Sequence, residues 1–167
     1  MTMTAGYTSS FSVDVLLRDG DSLRIRALRP DDLERLGPAR LAKDHDLALL
    51  ALHGAAEGEE IAGVASFRRL AAGADGVSCA EFTLTVEEAW QRRGVGIALL
   101  EQLAAQAARA GIERFETDVL PGNPLMLDQL THLGFDVSSE RRGGAIRAWF
   151  SVRLTEAARR AMDDRSS

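Results

Sequence analysis

The feature that most limits the fold of this chain is an alternating apolar segment followed by a glycine-rich turn and a long helical pattern. Residues 80–86 alternate in hydrophobicity and predict a strand. Gln91-Arg92-Arg93-Gly94-Val95-Gly96 follows, and residues 97–110 carry apolar side chains at helical spacing. This order leaves backbone N–H groups and the positive end of a helix dipole at the turn. The segment therefore predicts a site for phosphate groups.

The residues of the turn suit a diphosphate. Gly94 and Gly96 allow close approach of the backbone to a ligand, and Arg92 and Arg93 supply charge and forked donors. Two common nucleotide motifs do not fit, however. No Gly-Lys pair is present for a P-loop, and the third glycine of a dinucleotide fingerprint is missing after Gly96.

Length and composition indicate one soluble domain. The chain has 167 residues, of which 46% are apolar and 27% are charged. We predict a flexible tail over 1–12, the domain over 13–154, and a short helix and tail over 155–167. A polar start and the lack of a long apolar run predict a cytoplasmic protein without a signal peptide or membrane span. A net charge of −5 argues against nucleic-acid binding and mildly favours a cationic or lysine-bearing partner.

The pattern along the chain predicts a mixed sheet. Strands are expected over 13–17, 23–28, 47–53, 60–70, 78–86, 114–120, 135–139 and 145–153. Helices are expected to start at 29 with Asp31 or Asp32 as the cap, then over 94–110, 124–133 and 155–162. The two late strand–helix units predict neighbouring parallel strands at the centre of the sheet.

A longer set of residues resembles the acyl-CoA signature of the GNAT N-acyltransferase superfamily. Val86 followed by residues 91–96 is similar to that signature, and Asn123 with Leu133-Gly134-Phe135 is similar to the superfamily's Asn helix. The resemblance covers roughly residues 23–153. Residues 29–32, 80–86 and 118–123 are closest to the GNAT domains of bacterial protein-lysine acetyltransferases.

This resemblance implies the fold and the donor. The fold would be an α/β GNAT fold with a central, mixed and mostly antiparallel sheet flanked by helices. The acyl donor would be acetyl-CoA, and no metal would be needed. Leu84, Thr85 and Val86 would pair with the pantetheine arm, and Asn123 would contact the donor near its thiol. The residues expected to hold the pyrophosphate are Gln91, Arg92, Arg93, Gly94, Val95, Gly96 and Ile97.

Acyl transfer to an amine needs a base, because a lysine amine is almost wholly protonated at pH 7. Glu81 is the leading candidate: it lies on the strand that runs into the donor site, where the resembled lysine acetyltransferases carry a catalytic glutamate. The alternative is a carboxylate that pairs with an arginine on the next strand. Weaker candidates are Asp118, His132, His45 and His53. The isolated histidines and the single Cys79 do not have metal-ligand spacing.

Two departures from the superfamily pattern affect the mechanism and the acceptor. Leu130 stands where many members carry a tyrosine acid, and the only tyrosine is Tyr7. Residues 29–46 are short for the two helices that usually wall the acceptor pocket. They predict an open groove for a protein lysine or bulky amine, or a site completed by a second subunit.

The expected reaction is direct attack of a primary amine in a ternary complex. The alternatives are a non-catalytic acyl-CoA sensor and a nucleotide-binding oxidoreductase.

Overall fold

The computed structural model describes residues 11–36, 45–54, 58–71, 75–119, 130–131, 135–153, 159–160 and 162–164. Its described part forms one eight-stranded sheet, in the order β1-β2-β3-β4-β5-β6-β8-β7. The strands are β1 (Ser12–Leu16), β2 (Ser22–Ala27), β3 (Leu47–His53), β4 (Glu60–Arg69), β5 (Cys79–Val86), β6 (Arg114–Val119), β7 (Val137–Arg142) and β8 (Ala145–Ser151). The helices are α1 (Asp32–Leu36) and α2 (Val95–Arg109), with a 3₁₀ turn at Glu88–Trp90.

The central pair of strands is parallel, as the sequence predicts. β5 and β6 run in the same direction, and every other neighbouring pair is antiparallel. The parallel pairing covers only three registers, from Cys79 opposite Arg114 to Glu81 opposite Glu116. Beyond this point β5 still pairs with β4 and β6 with β8, but the two strands no longer pair with each other. The sheet therefore opens into a wedge, the β5–β6 wedge, between residues 82–86 and 117–119.

Helix α2 covers one face of the sheet. Its apolar side chains Leu99, Leu100 and Leu103 are fully buried. The sheet beneath contributes a phenylalanine cluster, in which the rings of Phe82 and Phe115 are 5.4 Å apart. Burial of each large apolar side chain contributes about 2 kcal/mol. This packing fixes the helix start relative to β5.

Gly63 in β4 permits the close approach of α2. A Cβ atom at this position would lie 2.9 Å from the Thr85 carbonyl oxygen, 3.0 Å from Leu99 Cδ1 and 3.4 Å from Val95 Cγ1. The first distance is too short for a carbon atom, and the second would force the Leu99 side chain to shift. The missing side chain thus allows α2 to rest directly on the strands that lead to the turn.

The opposite face of the sheet is apolar at one end and charged at the other. Leu36 of α1 packs with Leu50, Leu52 and Val64 at the apolar end. A bidentate pair holds α1 there: Arg26 donates to Asp32 at 2.7 and 2.9 Å, and both residues are buried. Alternation along β4, β5, β6 and β8 places charged side chains over the rest of this face.

Two local details differ from the sequence prediction. Helix α1 begins at Asp32. The Asp32 carboxylate accepts hydrogen bonds from Arg26 and from the Arg29 N–H, each at 2.7 Å. It therefore binds residues that precede the helix and does not cap the N–H groups of the first helical turn. The β7–β8 turn consists of Gly143 and Gly144 alone, because Arg141 and Arg142 pair with β8.

Parts of the prediction lie outside the described residues. Residues 130 and 131 are helical, but most of the predicted 124–133 helix is not described, and neither is Asn123 before it. Most of the predicted 155–162 helix is likewise undescribed. Across the part of the chain that the structure covers, no helix is both long and apolar enough to cross a membrane.

Candidate functional site

The start of α2 has the geometry of an anion site. Gly94 precedes the helix in a left-handed conformation with φ of 90°, and the first intrahelical bond runs from the Ala98 N–H to the Gly94 carbonyl at 3.1 Å. The N–H groups of Val95, Gly96 and Ile97 therefore lie before the first helical bond. Among the described residues no side chain caps this helix start, and its first turn carries no acid. These donors and the helix dipole can hold a diphosphate.

The helix start lies beside the open edge of β5. A Cβ at Gly96 would lie 3.5 Å from Leu84 Cδ2 and from Val86 Cγ2, which is ordinary contact. The helix start therefore packs on the side chains of the strand that borders the β5–β6 wedge. A ligand with a diphosphate at one end and an amide-bearing arm at the other fits this arrangement.

The three residues expected to bind the pantetheine arm, Leu84, Thr85 and Val86, do not all direct their backbone groups to the same side of β5. The Glu87 N–H and the Cys79 carbonyl bond to β4, whereas the Ser78 carbonyl accepts from residues leading into β6. Because successive residues face opposite neighbours, Leu84 and Val86 direct their backbone groups into the wedge. Thr85 directs its backbone toward β4 and its side chain to the charged face.

Gln91 occupies part of this edge. Its side-chain Nε2 donates to the Val86 carbonyl at 3.1 Å. This bond ties the turn to the end of β5. It leaves the Val86 N–H and both backbone groups of Leu84 as the wedge-facing groups available to a ligand arm.

The two arginines of the turn occupy different environments. Arg92 is exposed and adopts a left-handed conformation with φ of 64°. Arg93 is engaged by the β1–β2 turn: its Nε donates to Asp19 at 2.7 Å and its Nη2 to Asp21. Its guanidinium lies 4.1 Å from the centre of the Trp90 ring. The hydrogen bond from Arg93 lowers the pKa of Asp19 below its ordinary value, so this contact is an ion pair at neutral pH.

Glu81 lies on the charged face, opposite the face that α2 covers. One carboxylate oxygen accepts from Arg68 Nη2 at 3.2 Å and the other from Arg147 Nη1 at 3.5 Å. About a third of the side chain is exposed. The arginine pairing considered as the alternative role is therefore present, and it orients the carboxylate while leaving it accessible to a substrate.

Arg147 joins Glu81 to two further carboxylates. It contacts Glu116 at 3.1 Å and Asp118 at 2.9 Å. Burial alone would raise the pKa of Glu116, but hydrogen bonds from Cys79 and Arg147 and nearby positive charge lower it below its ordinary value. Glu116 therefore remains ionised beside Arg147. Glu81, Glu116 and Asp118 together form the carboxylate cluster around this guanidinium.

Arg68 and Arg147 were not singled out from the sequence. Strand alternation was the available signal, because Arg68 faces Glu81 across β4–β5 and Arg147 faces Asp118 across β6–β8. The reach of Arg147 to Glu81 needed the strand order, which swaps β7 and β8.

The other sequence candidates are placed as follows. Asp118 is mostly exposed within the carboxylate cluster. His53 packs 4.8 Å from the Trp90 ring and lies 3.9 Å from Asp21, beside the turn. His45 is half-buried just before β3. His132 lies outside the described residues, as does Asn123. Among the residues that are described, no group of three His, Cys, Asp or Glu could hold a metal ion.

Cys79 is a buried thiol. Burial, and then a hydrogen bond with Glu116, raise the pKa of the Cys79 thiol above its ordinary value. The thiolate is the nucleophilic form, so this environment does not activate the sulfur. Leu130, in the place of the tyrosine, is buried with 3% exposure.

Comparison with known proteins agrees with this geometry. The acetyltransferase (GNAT) family model matches residues 18–135. The GNAT domain of PAT from S. lividans has 30% identity and a TM-score of 0.69, covering 87% of this chain and 99% of that chain. No curated protein matches the chain.

Two further structures show the same fold at lower identity. A cAMP-binding acyltransferase from Mycobacterium smegmatis has 23% identity and a TM-score of 0.63, with 92% of this chain and 52% of that chain covered, so this chain spans about half its length. YncA from Salmonella typhimurium, solved with its cofactor acetyl-CoA, has 18% identity and a TM-score of 0.57, with 80% and 95% covered. With the family match over most of its sheet and its anion site, the chain belongs to the GNAT family of acetyltransferases.

Proposed function

We propose that the protein transfers an acetyl group from acetyl-CoA to a lysine side chain of another protein, with Glu81 as the base. The observation that carries this proposal is the position of Glu81. It lies on β5, the strand that borders the β5–β6 wedge, but its side chain lies on the face of the sheet opposite α2. Donor and acceptor can therefore approach the same strand from different directions.

The donor would be held by backbone groups. The N–H groups at the start of α2 suit its diphosphate, and the wedge-facing backbone of Leu84 and Val86 suits the amides of its pantetheine arm. Acetyl-CoA supplies a thioester carbonyl that an amine can attack. A backbone N–H of β5 that faces the wedge can polarise that carbonyl.

Glu81 would remove the proton that the amine must lose. A lysine amine has a pKa of about 10.4 in water and is charged at neutral pH. The carboxylate accepts that proton, directly or through a water molecule, before the neutral amine nitrogen bonds to the acetyl carbon. As the carbon–sulfur bond breaks, the nitrogen loses its second proton, which the thiolate or water takes up. Arg68 and Arg147 hold one carboxylate oxygen each and so fix its direction.

The environment supports direct transfer over a covalent acyl-enzyme. Cys79 is buried and its thiol is not activated. Leu130 offers no proton to the departing thiolate. A thiol with a pKa near 8.5 leaves readily as the thiolate, so the proton taken from the amine, or one from water, is sufficient.

A protein lysine fits the exposure and charge of the acceptor face. Thr83 and Thr85 are exposed beside Glu81, and Asp118 is more than half exposed. Carboxylates attract the ammonium group before it is deprotonated. An open, charged strand surface can admit a side chain from a folded partner. The 30% identity to the GNAT domain of PAT, a protein acetyltransferase, supports a protein as the acceptor.

An amine panel tests the proposal. The purified chain is mixed with acetyl-CoA and with a lysine peptide, the same peptide with its lysine blocked, a folded lysine-rich protein, a polyamine and an aminoglycoside. Free CoA and the product mass are measured for each. We expect lysine acetylation of the peptide and the folded protein, and none of the blocked peptide. Turnover confined to the small amines would overturn the acceptor class, and tight acetyl-CoA binding without any turnover would favour a sensor.

A further inference from the structure

Two acids of the β1–β2 turn contact residues 91–94, the turn that precedes α2 and is called the donor turn below. Asp19 and Asp21 both accept from Arg93, which lies between Arg92 and Gly94 immediately before α2. We propose that these two aspartates, the hairpin clamp, hold the donor turn in its binding conformation, and that Arg93 is a positioning residue for the diphosphate site rather than a phosphate ligand. This inference rests on the placement of the donor diphosphate at α2.

The other side of Arg93 is held by an anchored aromatic ring. Trp90 has 4% exposure, and its Nε1 donates to Glu60 at 2.8 Å at the start of β4. His53, at the end of β3, packs on the same indole. The guanidinium therefore lies between two carboxylates from the hairpin and a ring fixed to two strands. A planar guanidinium can form both contacts at once, whereas a lysine ammonium lacks the fork and stacks less well.

The donor turn has a physical need for this support. Arg92 has φ of 64° and Gly94 has φ of 90°, so left-handed residues flank Arg93 on both sides. A non-glycine residue in this region is strained, because its Cβ atom crowds the following carbonyl oxygen. The turn would relax without external contacts, and the N–H groups at the start of α2 would lose their common direction. The hairpin clamp offsets this strain.

The clamp makes a prediction opposite in sign to simple electrostatics. Acetyl-CoA is an anion, so the removal of two nearby negative charges should by itself strengthen binding. If Arg93 were a phosphate ligand, its release from Asp19 and Asp21 would strengthen binding further. If the aspartates hold the turn, their removal weakens binding instead.

The experiment compares Asp19→Asn/Asp21→Asn with Asp14→Asn. Asp14 forms an exposed pair with Arg24 on the same hairpin, at 3.3 Å, and is the matched control. We expect the double variant to raise KM for acetyl-CoA about threefold to tenfold with kcat nearly unchanged, as the loss of two exposed ion pairs allows. Asp14→Asn should change neither constant. An unchanged or lower KM in the double variant would overturn the clamp.

A coupling measurement keeps the test informative if the double variant is unstable. Arg93→Met is combined with Asp19→Asn, each single change leaving the rest of the cluster in place. Because the aspartate acts through Arg93, the combined variant should have the KM of Arg93→Met alone. Additive increases would overturn the clamp.

Failure of the donor site itself is recognised separately. Ile97→Glu places a negative charge in the first turn of α2 and should raise KM whether or not the clamp exists. An unchanged KM in Ile97→Glu would contradict the donor placement, whereas a raised KM there with no effect of Asp19→Asn/Asp21→Asn would contradict the clamp alone.

Discussion

Arg147 on β8 contacts Glu81 on β5 at 3.5 Å, although β6 lies between their strands. The guanidinium crosses β6 above Glu116, which it also contacts. The proposed base is therefore tied to the far side of the β5–β6 wedge. Its orientation depends on the same strand order that opens the donor site.

Glu81→Gln should lower kcat about 100-fold or more and leave KM for acetyl-CoA nearly unchanged, because general-base catalysis typically contributes this much. The amide keeps the shape of the side chain but cannot accept the proton. Steady-state kinetics from pH 6 to pH 9 provide the measurement. The matched control is Asp118→Asn, the second carboxylate on this face, which should keep most of its turnover. Wild-type turnover in Glu81→Gln across the pH range would remove Glu81 from the mechanism.

Arg147→Met should lower kcat about tenfold and leave KM for acetyl-CoA nearly unchanged, because the Glu81 carboxylate loses one of the two arginines that fix its direction. Arg147→Lys, which retains the charge but not the fork, should restore part of the turnover. Steady-state kinetics at pH 7 provide the measurement. Wild-type kcat in Arg147→Met would show that Arg147 does not orient the base.

Ile97→Glu should raise KM for acetyl-CoA about tenfold, since a carboxylate at the start of α2 repels the diphosphate. Ile97→Gln has almost the same size and lacks only the charge, so it serves as the control. An acid in the first turn of a helix is normally stabilising, so the melting temperature of Ile97→Glu should not fall below that of Ile97→Gln. Equal KM values in the two variants would place the diphosphate elsewhere.

Gly63→Ala should destabilise the fold by about 1–3 kcal/mol, because its methyl group would overlap the Thr85 carbonyl and Leu99. The displacement of α2 should also raise KM for acetyl-CoA. Gly144→Ala is the control, since a Cβ there meets no atom within 4 Å. Urea unfolding of both variants measures the difference, and equal stability would contradict the close packing of α2.

Asp32 should contribute to acid sensitivity. The hydrogen bond from Arg26 lowers the pKa of Asp32 below its ordinary value of 3.8, despite the opposing effect of burial. A lowered pKa in the folded state stabilises the fold fully above the unfolded pKa, and this contribution is lost as pH falls through the folded pKa. The free energy of unfolding should therefore fall in the wild type from about pH 5 downward, and Asp32→Asn should show less of this dependence.

At pH 7 the same change, Asp32→Asn, should cost about 3 kcal/mol, because buried Arg26 loses its bidentate partner and keeps only Glu59, at 3.9 Å. Asp14→Asn, at an exposed pair, should cost less than about 1 kcal/mol. Denaturant titrations at several pH values provide both tests. Equal losses for Asp32→Asn and Asp14→Asn would show that the buried pair does not hold α1 to β2.

Local patterns in the sequence predicted the elements closely. The apolar runs predict a strand over 47–53 and the helical period predicts a helix over 94–110. The structure has β3 at Leu47–His53 and α2 at Val95–Arg109. The parallel centre follows from the strand–helix–strand order around α2, because a helical crossover returns the chain in the same direction. The resemblance to GNAT proteins supplied the donor, which periodicity alone could not.

The contacts between distant segments were beyond such patterns. The engagement of Arg93 by Asp19 and Asp21 joins residues more than 70 positions apart. The turn motif indicates phosphate binding for both arginines, and nothing local distinguishes Arg92 from Arg93. The approach of Arg147 to Glu81 likewise depends on the swapped order of β7 and β8. The pairing of distant strands brings these side chains together, and that pairing cannot be deduced from the local patterns of a single sequence.

The three-pair contact between β5 and β6 has a consequence for folding. Strands β1 to β5 follow one another in sequence and in space, so their contacts are local and close early. β6 reaches β5 only after α2 has formed, and only a few backbone hydrogen bonds stabilise that pairing. We expect pulse-labelled hydrogen exchange to protect β2, β3 and β4 before β6 and β8. The β5–β6 wedge would then be the last part of the sheet to assemble, during synthesis as well as during refolding.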